Sequence, residues 1–197
     1  MFDYLQAVFW SITYILLIVY AFKYKTHAIP ILAVVLNFSW ETLALTGSIL
    51  NWELTGGLII HIAWFFLDLI IIAFLLFYDI YNTKKEKATL IIGYIISVVC
   101  LFFAFHSGYM LLSCFIIDLI MAILFLLHIL LRKTKRNILS FLIGLFKLLG
   151  DMFAWLYYMD NLHIPIIGLC VLILNVGYLI VLVCKKTDSA PIQLARK

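Results

Sequence analysis

The chain has 197 residues, 66% of them apolar and 12% charged, with a mean hydropathy of +1.17, whereas soluble domains are about half apolar and about a quarter charged. This excludes a soluble globular domain, a disordered chain and a disulfide scaffold. The 14 Lys and Arg are too few and too scattered for the basic groove of a nucleic-acid binder. The formal net charge of +4 says less than the placement of the charges, and an integral membrane protein is expected.

A bilayer core about 30 Å thick needs about 20 helical residues at about 1.5 Å each. Apolar runs between polar breaks predict seven such spans, near Tyr4 to Phe22, Ile29 to Ile49, Gly57 to Tyr78, Ala88 to Phe105, Tyr109 to Leu131, Ile138 to Tyr158 and Ile164 to Cys184. The first reads as a retained helix, because Met1-Phe2-Asp3 has no basic n-region and no small-residue cleavage site precedes Lys23-Tyr24-Lys25. Spans 4 and 5 are parted only by His106-Ser107-Gly108, which predicts a tight hairpin. The expected fold is all-α: one polytopic seven-helix domain over 1–197, with a short tail from about 185. Cys100, Cys114, Cys170 and Cys184 lie inside the apolar runs without metal-ligand or redox spacing and read as packing residues.

Lys23 and Lys25 follow span 1, Lys84, Lys85 and Lys87 follow span 3, Arg132, Lys133, Lys135 and Arg136 follow span 5, and Lys185, Lys186, Arg196 and Lys197 follow span 7. All fall on one side, while the other carries only Asp3, Glu53 and Asp160. Short basic loops stay cytoplasmic, so the N-terminus is expected outside and the C-terminus in the cytoplasm.

The remaining basic residue, Lys147, lies within span 6, and four acids, Glu41, Asp68, Asp118 and Asp151, also lie within spans. Charges at this depth cost several kcal/mol and usually face a cavity or pair with one another. Counting from the outer end of each span puts Glu41 and Asp151 about 12 Å deep, Asp118 about 15 Å, and Asp68, Lys147 and Asn175 about 17 to 18 Å. Five helices thus bring polar groups to one layer, as a shared pocket requires. Aromatics share their faces: Asn37 and Glu41 are i, i+4; His61, Trp64 and Asp68 are i, i+3, i+7; Lys147, Asp151 and Trp155 are i, i+4, i+8.

A carboxyl withdrawn from water keeps its proton and can act as a Brønsted acid, and aromatic faces attract cations. Together they suit electrophilic chemistry on a hydrocarbon in a site that excludes water. Plainer readings stand beside this one. Lys147 and Asp151 can simply neutralise each other, and Asp118 can be a helix-to-helix hydrogen bonder. His61, His106, His128 and His163 share no metal-ligand spacing and read as packing or interface residues. Trp52, Tyr109, Tyr157 and Tyr158 fit an interfacial belt, whereas Trp40 and Trp64 lie deeper.

The run Asn37-Phe38-Ser39-Trp40-Glu41 resembles the N-x-x-W-E signature of the integral-membrane terpene cyclases of fungal meroterpenoid and indole-diterpene pathways, the paxilline-type cyclases, which have bacterial relatives. The likeness extends over nearly the whole chain, including Lys147-Leu148-Leu149-Gly150 and a last span opened by Pro165. It implies protonation-initiated cyclisation of a linear polyprenyl chain, of meroterpenoid or sesquiterpenoid type, with Glu41 as proton donor or its partner. The family's second acid lies in the last span before a Gly/Tyr element. Here that stretch is Asn175-Val176-Gly177-Tyr178, an amide in its place, while Asp68 stands where the family has Asn.

The expected function is therefore a membrane-embedded terpene cyclase of lyase or isomerase type. Glu41, Asp68 and then Asp151 are the candidate acids. Asn37, Trp40, Trp64, Asp118, Lys147, Trp155, Asn175 and Tyr178 are the candidate substrate-binding residues. No cofactor or metal is expected, and no D-D-x-x-D motif is present to ionise a diphosphate. The partners are a hydrophobic prenyl substrate and membrane lipid, in a bacterial cell membrane or, in a eukaryote, the endoplasmic reticulum. The alternative is a transporter or carrier for a small lipid or proton-coupled solute with the same acids as a relay. Few helix breakers and no internal repeat count against it. A retinal-type photoreceptor is a third reading, but the last span here has no Lys to form its Schiff base.

Overall fold

The computed structural model describes residues 2–26, 28–50, 56–77, 84–131 and 137–184, which form seven helices and no strand. They are α1 (Phe2–Tyr24), α2 (Ile31–Leu50), α3 (Gly56–Phe77), α4 (Lys84–His106), α5 (Met110–Leu130), α6 (Ile138–Tyr158) and α7 (Ile164–Cys184). Each coincides with an expected span, and the largest extension is at the start of α4, where Lys84 to Lys87 continue the helix beyond the apolar run. Six of the helices are long and apolar enough to cross a membrane; α2 is apolar over Ile31–Gly47. Their length and composition are those of an integral membrane protein. The charged residues Glu53, Arg132, Lys133, Lys135, Arg136, Lys185, Lys186, Arg196 and Lys197, on which the expected orientation mostly rests, lie outside the described residues, as does Trp52.

The helix ends show why the chain turns where it does. Gly108 has φ +80°, a left-handed conformation that favours glycine. Around it Tyr109 N–H donates to Ala104 O at 2.8 Å and Gly108 N–H to Phe105 O at 3.1 Å. This paired closure ends α4 and folds the chain back into α5 within three residues. At the start of α6, Asn137 Oδ1 accepts from Ser140 N–H at 2.9 Å, satisfying one of the donors that a helix start leaves open.

Six helices close a ring. α1 packs on α3, α3 on α2, α2 on α5, α5 on α7, α7 on α6, and α6 back on α1. α4 lies outside it against α2 and α5, and among its described residues only Ser97 and Leu101 are buried. One half of the ring is filled: Tyr20, Val34, Ile71, Ile129, Ile143 and Leu182 pack there as a continuous apolar core. At the other end a smaller cluster of Phe115, Ala154 and Ile164 joins α5, α6 and α7. There Trp155 Nε1–H donates to Pro165 O at 3.1 Å, and Gly168 leaves room for the indole. Gly150 does the same for Trp10: a Cβ at that position would sit 2.7 Å from its ring, so the glycine fixes how closely α6 approaches this part of α1.

Candidate functional site

A cavity of about 440 Å³ opens between α1, α2, α3 and α5, within the range of small-molecule sites. Its walls come from the first half to the middle of α1, the N-terminal halves of α3 and α5, the middle of α2, the α4–α5 turn at Gly108, and Tyr158 at the end of α6. These segments lie toward one side of the ring's middle, above the filled half. Alternating helix direction thus converts residues far apart in the chain into one layer.

The lining is aromatic and acidic. α1 contributes Trp10 and Tyr14, α2 Trp40, and α3 Trp64. The carboxyl groups are Asp3 at the mouth, Glu41 on α2 and Asp118 on α5. Among the described residues that line it there is no Lys or Arg, and His61 is the single side chain able to carry positive charge. His61 Nδ1 lies 2.8 Å from Glu41 Oε2. The Glu41 side chain is 3% exposed and that of His61 22%, so the imidazole is the more open member of the pair. Its ring stands edge-on to Trp64, with centroids 5.9 Å apart, and Trp64 Nε1–H is itself tied to Ser11 Oγ at 3.0 Å.

Asp68 does not line the cavity. It is buried, accepting from Asn37 Nδ2 at 2.8 Å and from the Tyr14 hydroxyl at 3.4 Å. Asn37 also donates to the Tyr14 hydroxyl. Both partners line the cavity, so Asp68 reaches its wall through them. The i, i+4 placement of Asn37 and Glu41 on α2 puts the two groups on one face, the first turned to Asp68 and the second to His61.

The third polar group forms a separate knot between α6 and α7. Lys147 Nζ donates to Asp151 Oδ2 at 2.5 Å and to Asn175 Oδ1 at 3.3 Å, and Asn175 Nδ2 donates to the same Asp151 oxygen at 2.6 Å. All three residues are buried. The ammonium also lies 5.2 Å from the centre of the Trp10 ring, which lines the cavity. Such a contact is itself attractive, by about 2 kcal/mol when desolvated.

Of the sequence-predicted residues, the structure brings Asn37, Trp40, Glu41, Trp64 and Asp118 to the cavity and puts Asp68 behind it. Lys147, Asp151 and Asn175 meet one another instead. Trp155 is a clamp on α7. Tyr178 is buried against Phe125, at 6.0 Å between ring centres, with its hydroxyl 3.5 Å from Ser140 O; it does not line the cavity. Sequence reasoning missed Trp10 and Tyr14, and it read His61 as a packing residue where the structure pairs it with Glu41. A signal was present for His61, which shares its helix face with Trp64 and Asp68. For Tyr14 the signal was its spacing from Trp10, one turn apart in α1.

Compared with known proteins, residues 1–159 match the family described as Pyr4-like transmembrane terpene cyclases. The match takes in the cavity-lining segments of α1 to α6 and ends before α7. No curated protein and no solved structure matches the sequence.

Proposed function

This chain belongs to the Pyr4-like transmembrane terpene cyclase family, and from that premise we propose that it cyclises a linear, uncharged prenyl chain by protonating it inside the bilayer. The observation that carries this reading is Glu41, a buried carboxyl on the wall of a cavity that three indole and two phenol rings also line. Glu41 supplies the proton, to a terminal alkene or epoxide. Trp10, Trp40 and Trp64 stabilise the positive charge as it moves along the folded chain, through attraction to their ring faces. Asp68 acts from behind the wall, holding Asn37 and Tyr14 in place and orienting the polar side of the chamber. The outcome is an isomerisation, or an elimination where the substrate carries a leaving group.

The charge inventory of the walls supports an uncharged substrate. A diphosphate is usually met by Arg, Lys or a metal ion, and among the described residues that line this cavity there is no Lys or Arg. In the full arrangement α2, 20 residues long, is the seventh span, long enough for a core of about 30 Å. The N-terminus and the cavity mouth lie outside and the basic loops in the cytoplasm, in a bacterial cell membrane or the endoplasmic reticulum. The whole chain works as one domain with lipid as its surroundings.

The test is to give the detergent-purified protein a set of linear prenyl alcohols, epoxides and prenylated aromatics beside the matching prenyl diphosphates. Mass spectrometry and chromatography then look for cyclic isomers. We expect cyclic products from uncharged members of the set and none from the diphosphates. Turnover of diphosphates alone, with release of pyrophosphate, would overturn protonation as the initiating step.

A further inference from the structure

We propose that His61 is the base that takes back the last proton of the cyclisation and returns it to Glu41, so that one carboxyl–imidazole pair opens and closes every turnover. The inference rests on the acid-initiated reading above and adds to it the group that ends the reaction. A cyclisation started by a proton must finish by losing one, and the acceptor must reach the final cation from the wall of the chamber. His61 lines the cavity and is the single nitrogen base among the described residues that do. Its Nδ1 is engaged with Glu41 at 2.8 Å, whereas Nε2 has no hydrogen-bond partner among the described residues, and the side chain is 22% exposed. The edge-on contact with Trp64, itself anchored on Ser11, holds the ring in that orientation.

The protons balance. Glu41 Oε1–H breaks as a new C–H bond, or an O–H bond in the case of an epoxide, forms on the substrate. The carboxylate left behind accepts from His61 Nδ1–H through Oε2. Ring closures move the positive charge along the chain. The C–H bond next to the final cation then breaks, its electron pair becomes the product double bond, and the proton goes to His61 Nε2. The resulting imidazolium passes its Nδ1 proton across the 2.8 Å bond to Glu41. A neutral carboxyl and a neutral imidazole are restored, the imidazole now as its Nε2–H tautomer. Between turnovers water at the open ring edge takes the Nε2 proton, Glu41 Oε2–H returns its proton to Nδ1 and Oε1 is protonated again, so that no net proton is consumed. Asp118 is the competing base, since it also lines the cavity. Among the described residues, however, it has no hydrogen-bonded path to Glu41, so a proton left there would not return.

The experiment compares wild type, Glu41→Gln, His61→Gln and Asp118→Asn with a linear substrate that the wild type cyclises, measuring kcat, KM and the position of the product double bond. His61→Gln keeps an N–H for Glu41 but has no basic nitrogen. We expect its kcat to fall about 100-fold, the scale of a lost general base, with KM unchanged. We also expect its product to spread into double-bond isomers or water-captured alcohol on the same ring skeleton. Free imidazole added to His61→Ala should restore the original isomer, and this second arm decides the matter if His61→Gln does not fold. Wild-type kcat and a single unchanged isomer in His61→Gln would overturn the proposal. So would a double bond displaced in Asp118→Asn alone, or a His61→Ala protein that imidazole leaves unaltered. Failure of the cyclase reading has a different signature: no cyclic product from the wild type, or full turnover in Glu41→Gln.

Discussion

Glu41→Gln is expected to reduce cyclisation by about 1,000-fold or more while leaving the protein folded, a loss within the range of a deleted general acid. The substitution preserves shape and keeps a side-chain oxygen for His61, which sits 2.8 Å away, so packing around α2 changes little. What disappears is the dissociable proton, and no other lining group shares its position. Product formation by gas chromatography reads the activity, and the thermal midpoint and elution of the detergent-solubilised protein read the fold. Full turnover in a folded Glu41→Gln protein would remove Glu41 from the chemistry. Asp68→Asn is expected to be milder, about 10-fold to 100-fold lower in kcat, because Asp68 acts on the cavity through Asn37 and Tyr14. A loss as large as that of Glu41→Gln would make Asp68 a direct proton donor.

The largest stability effect is expected at Lys147. Lys147 and Asp151 are each 2% exposed and 2.5 Å apart. Lys147→Met leaves the Asp151 carboxyl with Asn175 as its remaining partner, and breaking such a pair from one side costs about 3–5 kcal/mol. Lys147→Met combined with Asp151→Leu should recover most of the loss, since it removes the stranded acid as well as its partner. Thermal midpoints of the single and double variants, measured in one detergent, give the comparison. A double variant no more stable than Lys147→Met alone would show that the pair is held for a reason other than mutual neutralisation. If the knot is structural, the double variant also keeps its cyclase activity when folded.

The helices were legible because hydropathy and length leave little choice in a bilayer, and the turn at Gly108 was legible because only a few residues separate the two runs. Counting residues along each helix gives an expected depth for the polar groups, since a helix rises by a fixed amount per residue. Depth gives a layer and not a bearing within it. Asp151 and Asn175 share that layer with Asp68, yet they face each other on α6 and α7 while Asp68 faces α1 and α2. The order of helices around the ring decides this, and that order comes from side-chain packing between helices far apart in the chain. His61 was legible by face and not by role, because a lone imidazole acquires chemistry from its partner, and the partner is on another helix. Tyr14 is the same case, with a hydroxyl whose importance arises only where α1 meets α2 and α3.

The ring of six closes where α1 meets α6, and this is the most extensive helix pairing in the fold. A ribosome delivers the chain from its N-terminal end, so α1, α2 and α3 reach the membrane with Glu41, His61 and Asp68 already aboard while the helix that seals them is still to be made. During that interval these polar groups have only one another, the translocation machinery and lipid for company. The Glu41–His61 and Asp68–Asn37–Tyr14 bonds, all formed within the first 68 positions, allow the unfinished protein to wait for its sixth helix.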